Sequence, residues 1–318
     1  MNIDLLKELE KNIDTVNPER GKIPIKILGF GEISLVFELL SDNENIAYKR
    51  IPIFDNESQV KRHVWAYNEY NKILKKKCNL NIPNYDTVWF NDEQGGIQFY
   101  CIQEKIHPDS VCNKIIHKIN NDDIKTLVIL VMRELKKVWA YSRQRKSLKL
   151  GLDGQISNFA IKNYDPNNIE VNDTTKLYYL DTSTPFFRIN GKEAMEAVLF
   201  LKSTPSFLRF LIKALFLQDT VDRYYDFRRV LVDLIANFYK EEKPLLIPRL
   251  IKSVNKFLKE EIPEFNIAPL TLMEIQKYYK SDANMWRIFQ AARKIDRFIK
   301  IRLFKKNYAF YLPGKIKR

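Results

Sequence analysis

The chain has 318 residues, of which 45% are hydrophobic, so it can bury a large core as one two-lobed domain or two closely joined ones. Its three cysteines and three histidines show no metal-ligand spacing and no segment is continuously apolar, which argues against a zinc site and a transmembrane protein. No secretory leader is visible, so the cysteines are expected to be reduced and the protein cytoplasmic, while the formal net charge of +14 is concentrated near the C-terminus.

After a helix predicted over residues 3 to 16, the first motif is a glycine-rich turn between two strand-like apolar runs. The turn is Gly29-Phe30-Gly31-Glu32-Ile33-Ser34-Leu35-Val36, a G-x-G-x-x-S-x-V pattern. Glycines let the backbone come close to phosphates, and a small residue at the third position leaves room for the same approach. We therefore expect Gly29, Gly31 and Ser34 to close over the phosphates of a nucleotide.

A strand and a helix that could serve the same nucleotide come next. Lys49 ends the strand-like run Ile46-Ala47-Tyr48-Lys49, thirteen residues after Val36. Glu69 lies twenty residues further on, in a stretch from 64 to 74 with helical spacing of apolar residues. The pattern predicts that Lys49 contacts the α and β phosphates and that Glu69 holds its ammonium in place. Alone, each residue also fits an ordinary solvated position.

The most informative segment carries two polar residues five apart and an aspartate downstream. Asp153 and Asn158 lie in a loop after Leu150, and Asp181 closes the apolar run from 177 to 180. Phosphoryl-transfer enzymes place one base and two magnesium ligands in this order. The same residues occur in turns, but the ordered elements upstream favour the phosphoryl-transfer interpretation.

Taken together, these elements resemble the protein-kinase-like superfamily, and within it the aminoglycoside phosphotransferase and choline kinase branch. The resemblance covers about residues 25 to 185. It implies an α+β fold with two lobes, a small antiparallel-sheet lobe at 1–105 and a large, mostly helical lobe at 106–318, with ATP between them. The stretch from Phe99 to Pro108 is similar to the hinge of that branch.

The resemblance also implies roles for individual residues. Asp153 matches the catalytic base, and Asn158 and Asp181 match the ligands of Mg²⁺. Lys49 matches the phosphate-binding lysine, and Glu69 matches its partner. At the hinge, the backbone of Gln103, Glu104 and Lys105 would meet the edge of the adenine.

Three departures from the superfamily pattern bear on catalysis. Gly151 stands where a histidine is usual, two positions before the base. Gln155 stands where protein kinases carry lysine and many small-molecule kinases carry histidine, which removes a positive charge beside the transferred phosphoryl group. Asp181 is followed by Thr182-Ser183-Thr184 and not by Phe-Gly. Nucleotide binding remains the expectation.

Beyond Asp181 the pattern predicts an almost wholly helical chain. An earlier core helix is predicted from Asn121 to Trp139, and the later helices are predicted at 192–203, 205–217, 219–240, 246–260, 270–280 and 283–304. Prolines separate several of them.

The excess positive charge lies mainly in residues 286–318. The segment holds one acid, Asp296, and eleven bases, which gives +10: Arg287, Arg293, Lys294, Arg297, Lys300, Arg302, Lys305, Lys306, Lys315, Lys317 and Arg318. A stripe of Ile288, Ala292, Ile295 and Ile299 is expected to be buried, leaving the cations to meet a polyanion or merely water. The aromatic residues Tyr308, Phe310 and Tyr311 could stack on bases or hold the tail to the protein; the second is favoured.

The sequence therefore predicts an ATP- and Mg²⁺-dependent phosphotransferase that acts on a hydroxyl of a small or medium-sized acceptor. Two alternatives remain open. One is a pseudokinase-type nucleotide-binding scaffold, favoured by Gly151 and Gln155. The other is a protein that binds nucleic acid or an anionic surface through residues 286–318.

Overall fold

The computed structural model describes residues 2–31, 33–42, 45–213, 217–305 and 308–312, apart from the side chains of residues 207, 211 and 212. Glu32 of the glycine-rich turn and four cations of the basic segment, Lys306, Lys315, Lys317 and Arg318, lie outside these ranges. The described residues form a mixed α+β structure with a small antiparallel sheet and many helices, which confirms the predicted fold class at that level. The division into lobes at residues 105 and 106 stays a prediction.

The main sheet consists of five short strands. Their bounds are Ile25–Phe30 (β1), Leu35–Leu39 (β2), Ile46–Arg50 (β3), Tyr85–Asn91 (β4) and Ile97–Glu104 (β5). The strands lie side by side in the order β1-β2-β3-β5-β4, and each pair is antiparallel. Lys49 on β3 pairs with Val36 on β2 and with Cys101 on β5, so it lies in the middle of the sheet.

Two helices cover opposite faces of this sheet. They are α1 (Ile3–Asn12) and α2 (Glu57–Lys76). Tyr100 and Ile102 of β5 pack in one apolar cluster with the buried leucines of α1, whereas Phe99 and Cys101 pack in another with residues of α2. The alternation follows from the two-residue period of a strand. Helix α1 ends four residues before the predicted end, because Ile13 takes an extended backbone conformation.

The rest of the chain is mainly helical, with two very small sheets. The helices are α3 (Cys112–Ile115), α4 (Asn121–Arg143), α5 (Ser206–Ile212), α6 (Gln218–Arg223), α7 (Phe227–Lys240), α8 (Ile247–Glu260) and α9 (Leu272–Phe298). The strands are β6 (Leu148–Leu150), β7 (Phe159–Ile161), β8 (Leu177–Tyr179), β9 (Phe187–Ile189) and β10 (Lys192–Glu193). Helices α4, α7 and α8 share the largest apolar core. No helix in the described ranges has the length and apolar character needed to cross a membrane.

Four predicted helices differ from the structure. The segment 192–203 is not a helix: Asn190 and Gly191 form a turn with positive φ, and a 3₁₀ stretch follows at Ala197–Ser203. The predicted helix 219–240 is broken at residues 224–226, because the side chain of Asp226 caps the N-terminus of α7. The helices predicted at 270–280 and 283–304 are one continuous helix, α9, since no proline or glycine interrupts it.

The C-terminal tail, residues 308–312, returns to the main sheet. Tyr308 and Phe310 are buried in the cluster that contains Phe99 and Cys101. The guanidinium of Arg50 on β3 donates to the carbonyl of Ala309 at 2.6 Å. The aromatic residues of the tail thus hold it to the protein, as the sequence favoured.

Candidate active site

The loop that carries Asp153 follows strand β6 and precedes a 3₁₀ turn at Ile156–Asn158. The backbone N–H of Gln155 donates to the Asp153 carboxylate at 3.2 Å, and the Asn158 side-chain amide donates to the Asp153 carbonyl at 3.3 Å. The amide nitrogen of Asn158 is therefore directed at the loop backbone. Asp153 and Asn158 are held on one short loop, as the motif predicts.

The glycine at position 151 has a steric cause. A Cβ built there would lie 2.5 Å from the carbonyl oxygen of Tyr224. The same carbonyl accepts the backbone N–H of Leu152 at 2.9 Å, and the hydroxyl of Tyr70 donates to the carbonyl of Gly151 at 2.7 Å. Only glycine fits between these contacts. The glycine at this position thus reflects how closely the segment around Tyr224 packs on the loop.

Lys49 and Asp181 meet in the structure. The ammonium of Lys49 donates to Oδ1 of Asp181 at 2.7 Å, and the Ser183 hydroxyl donates to the same oxygen at 3.0 Å. Burial alone would raise the pKa of Asp181, but the charge of Lys49 and these hydrogen bonds outweigh it and hold the pKa below its ordinary value. The ion pair joins the centre of the main sheet to the segment that follows β8.

The structure does not bring Glu69 to Lys49. Glu69 is partly exposed on α2 and forms an ion pair with Lys72 at 3.1 Å. The side of α2 that faces the core carries the neighbouring residues Ala66, Tyr67 and Tyr70. Lys49 has Asp181 as its partner in this conformation.

The hinge residues 103–105 are also engaged by the protein. The backbone N–H of Glu104 donates to the Asn84 carbonyl at 2.8 Å, and that of Lys105 donates to the Asn45 carbonyl at 2.9 Å. The side chain of Gln103 donates to the carbonyl of Leu180 at 2.9 Å, next to Asp181. Both backbone N–H groups therefore already have partners within the protein. Gln103 instead links the hinge strand to the Asp181 segment.

The glycine-rich turn joins β1 to β2, as predicted. The N–H of Gly31 donates to the carbonyl of Ser34 at 3.0 Å, and a Cβ at Gly31 would lie 2.7 Å from the Ser34 hydroxyl. No atom lies within 4 Å of a Cβ built at Gly29. Gly31 and Ser34 therefore shape the turn, while Gly29 leaves open space beside it.

Sequence motifs did not single out two helical residues that act on the charge of Asp153, Asp233 and Arg223, or the tyrosine that contacts both. The Tyr278 hydroxyl on α9 donates to the Asp233 carboxylate on α7 at 2.8 Å. It also accepts from the guanidinium of Arg223, at the end of α6, at 2.6 Å. Arg223 directly precedes Tyr224, whose carbonyl holds Leu152. Helices α6, α7 and α9 thus contribute a guanidinium, a carboxylate and a phenol, in that order, to one hydrogen-bonded group beside the Asp153 loop.

These neighbours set the electrostatics of Asp153. Removal from water and the negative charges of Asp233 and Asp181 raise the pKa of Asp153 to about 7, even though the N–H of Gln155 and the charge of Arg223 act in the opposite direction. A carboxylate with a pKa near 7 can both hold and accept a proton at neutral pH, which is the property needed in a general base. Asp153 is suited to proton transfer.

This arrangement predicts a pH profile. A base with a pKa of about 7 must lose its proton to act, so kcat/KM is expected to rise from pH 6 to pH 8 with a midpoint near 7. Asp233→Asn removes a neighbouring negative charge and should move the midpoint to lower pH by roughly half a unit to one unit. Slow ATP hydrolysis, measured against pH in parent and variant, provides the test. Asp219→Asn, an exposed acid paired with Arg229, is the control and should leave the midpoint in place. An unchanged midpoint in Asp233→Asn would contradict the assignment.

The structure is a mixed α+β protein in which Lys49 of the main sheet contacts Asp181 and the charge of Asp181 acts on Asp153 of the loop. A family model matches residues 8–297, and the chain belongs to that family, DUF6206, a family of unknown function. No curated protein matches the chain. One similar solved structure is WaaP in complex with acyl carrier protein, at 11% identity with a TM-score of 0.32 over 64% of this chain and 90% of that chain.

Proposed function

We propose that the protein is an ATP- and Mg²⁺-dependent phosphotransferase that moves the γ-phosphoryl group to a hydroxyl of a small or medium-sized acceptor. The observation that supports this most is the Lys49–Asp181 ion pair at 2.7 Å. It joins the two residues that the sequence assigned to the phosphates and to the metal, 132 positions apart along the chain. The negative charge of Asp181 also contributes to the raised pKa of Asp153.

The donor set suits the proposed metal. Asp181 offers a carboxylate, and Asn158 an amide oxygen on a side chain whose nitrogen already donates to the loop. Such hard oxygen ligands are those that Mg²⁺ prefers, and it usually completes its shell with water and substrate phosphates. When bound, Mg²⁺ would offset negative charge on the phosphates.

The chain's own residues account for the rest of the reaction. Asp153 takes the proton of the acceptor hydroxyl as the hydroxyl oxygen forms a bond to the γ-phosphorus. The bond from that phosphorus to the β–γ bridging oxygen breaks, and ADP leaves. Lys49 provides positive charge for the remaining phosphates. The acceptor is chosen by the helical part of the chain.

A nucleotide-binding scaffold without turnover is the second candidate. Gln155 favours it, because no positive charge stands at that position beside the phosphoryl group. Gly151, in contrast, no longer favours it, since packing against Tyr224 explains the glycine. An acceptor panel separates the two candidates: a parent protein that binds MgATP but transfers nothing, even to water, is a scaffold.

Nucleotide binding is expected to depend on Lys49 and Asp181. At a ligand concentration of about a hundred times Kd, MgATP should stabilise the parent by roughly 2.7 kcal/mol, a shift of a few degrees in Tm. Lys49→Met should reduce the shift, and Asp181→Asn should abolish the part that requires Mg²⁺. Each shift is measured against the same variant without nucleotide, because either substitution breaks a partly buried ion pair and lowers Tm by itself.

Lys72→Met is the matched control. Lys72 is half exposed and pairs with Glu69, so its loss should leave the nucleotide shift unchanged. If Lys49→Met and Asp181→Asn respond to MgATP as the parent does, the site is assigned to the wrong residues.

A further inference from the structure

The second half of α9 and the turn after it carry large apolar side chains that no described residue covers. Ile288 is 68% exposed, Ile295 48%, Phe298 60%, Leu303 66% and Phe304 65%. Of the predicted buried stripe, Ala292 is buried and Ile299 is partly buried. Ile288 and Ile295 face solvent, so the prediction is wrong for these two isoleucines.

The buried side of this part of α9 is polar for a structural reason. Arg293 is fully buried and donates to the carbonyl of Tyr311 at 2.8 Å. Asp296, also buried, forms an ion pair with Lys300 at 2.7 Å. The helix thus directs these polar side chains toward the protein and exposes Ile288, Ile295 and Phe298 to solvent.

Exposed cations lie among these apolar side chains. At 3.6 residues per turn, Lys294, Arg287, Phe298, Ile295 and Ile288 fall in that order within an arc of roughly 120°. Arg302 and Lys305 are exposed in the turn that follows. We call residues 285–305 the C-terminal surface.

Two polyanions could meet this surface, and the structure favours one. Nucleic acid would use the cations and the aromatic residues of the tail, but Tyr308 and Phe310 are buried and cannot stack on bases. Exposed isoleucine, leucine and phenylalanine side chains gain nothing from a phosphate backbone. Their transfer from water to the boundary between headgroups and acyl chains of a bilayer lowers the free energy of the system. The neighbouring cations would at the same time contact the lipid phosphates.

We propose that the C-terminal surface docks the protein on an anionic phospholipid bilayer. The helix lies in the plane of the interface: Ile288, Ile295 and Phe298 enter the boundary between headgroups and acyl chains, and Arg287 and Lys294 contact the headgroups. The proposal is independent of the phosphotransferase assignment, because no residue of the C-terminal surface belongs to the candidate active site.

Vesicle sedimentation with the full chain tests the proposal. The parent should bind vesicles of phosphatidylcholine with about 30% phosphatidylserine and bind pure phosphatidylcholine far more weakly. Ile288→Ser, Phe298→Ser and Leu303→Ser, combined, should lower binding by at least about tenfold with all cations in place. Lys294→Gln with Arg302→Gln should lower it by roughly twenty-fivefold, at about fivefold per cation.

The chain offers matched controls. Met273 and Leu245 are 79% and 93% exposed, and both lie away from the C-terminal surface, so serine at both positions should leave vesicle binding unchanged. Lys277→Gln with Lys280→Gln removes two exposed cations from the first half of α9 and should have little effect. All substituted side chains are exposed, so Tm should stay close to the parent value.

Each other outcome overturns the proposal. No binding of the parent to anionic vesicles at 50 mM salt would do so. The same holds if the triple serine variant binds as the parent does, since the apolar residues would then be irrelevant. Binding to heparin or single-stranded RNA that exceeds vesicle binding and survives the triple substitution would assign the surface to nucleic acid.

Discussion

Asp153→Asn is expected to lower phosphoryl transfer, or slow ATP hydrolysis, by roughly a hundredfold to ten-thousandfold. Asparagine keeps the size of the side chain but cannot accept the proton of the attacking hydroxyl. The Tm shift with MgATP should persist, because Lys49 and Asp181 remain in place. Single-turnover assays and thermal titrations of parent and variant separate the loss of chemistry from any loss of binding.

The same substitution is expected to stabilise the protein at pH 8. The pKa of Asp153 is about 7 in the folded protein against 3.8 in the reference state, so the folded state disfavours the ionised form. The free-energy cost therefore grows as pH rises from about 4 to about 7 and is fully present above 7. Asparagine removes it, for a gain of roughly 1–3 kcal/mol at pH 8, a few degrees in Tm.

The pH dependence is the diagnostic feature of this gain. The stability difference between variant and parent should shrink as the pH falls from 7 toward 4, where the carboxyl is protonated in the folded state. Asp219→Asn, at an exposed ion pair, should show no such trend. A variant that keeps parental turnover, or that is less stable than the parent at pH 8, would refute the role given to Asp153.

Arg223→Met is expected to lower turnover by roughly a hundredfold to a thousandfold, comparable to the loss of one preorganised donor that stabilises transition-state charge. The positive charge of its guanidinium lowers the pKa of Asp153, whereas the negative charge of Asp233 raises it. We therefore expect Arg223 to provide the positive charge that is lacking at Gln155. The variant should still show a Tm shift with MgATP, because Arg223 is not part of the Lys49–Asp181 pair.

A structural role for Arg223 has to be separated from this one, since its guanidinium also holds Tyr278. Gln155→Lys in the Arg223→Met background should restore at least about tenfold of the lost turnover by returning a positive charge to the loop, without repairing the bond to Tyr278. Arg223→Lys should retain more activity than Arg223→Met. Arg229→Met, at an exposed pair with Asp219, is the control. Arg223→Met also breaks an ion pair with Asp282, so all variants are assayed well below their Tm. If Gln155→Lys restores nothing under these conditions, Arg223 does not serve the phosphoryl group.

The sequence predicted the parts of the site that depend on local order along the chain. Lys49 lies in a short strand, and Gly31, Asp153 and Asp181 lie within three residues after one. Strands with turn signals are recognisable from local pattern. The resemblance to the kinase-like superfamily implied that Lys49 and Asp181 serve the same nucleotide. The two side chains contact each other at 2.7 Å, and their roles toward a nucleotide and a metal stay predictions.

The residues that the sequence did not reveal are brought in by helix packing. Arg223, Asp233 and Tyr278 lie on three separate helices, and no spacing rule connects them. One local signal was available: Asp226, an N-capping residue type, stands where the predicted helix 219–240 breaks. Such a break would have placed Arg223 at a helix end, close to a loop. Position 151 must be glycine because the carbonyl of Tyr224 leaves no room for a Cβ, and no local sequence pattern indicates that contact.

The return of the tail to the sheet determines when this protein can finish folding during synthesis. Arg50 is buried on β3, where Glu10 pairs with its guanidinium at 2.6 Å and the carbonyl of Ala309 accepts another N–H. Because the ribosome makes the N-terminal segment first, a nascent chain has Glu10 long before it has Ala309. Until residues 308–310 emerge, one donor of a buried cation and the apolar surface under Tyr308 and Phe310 stay open to water. The strands of the main sheet are made early, but the packing around Arg50 is completed only by a contact 259 residues distant along the chain.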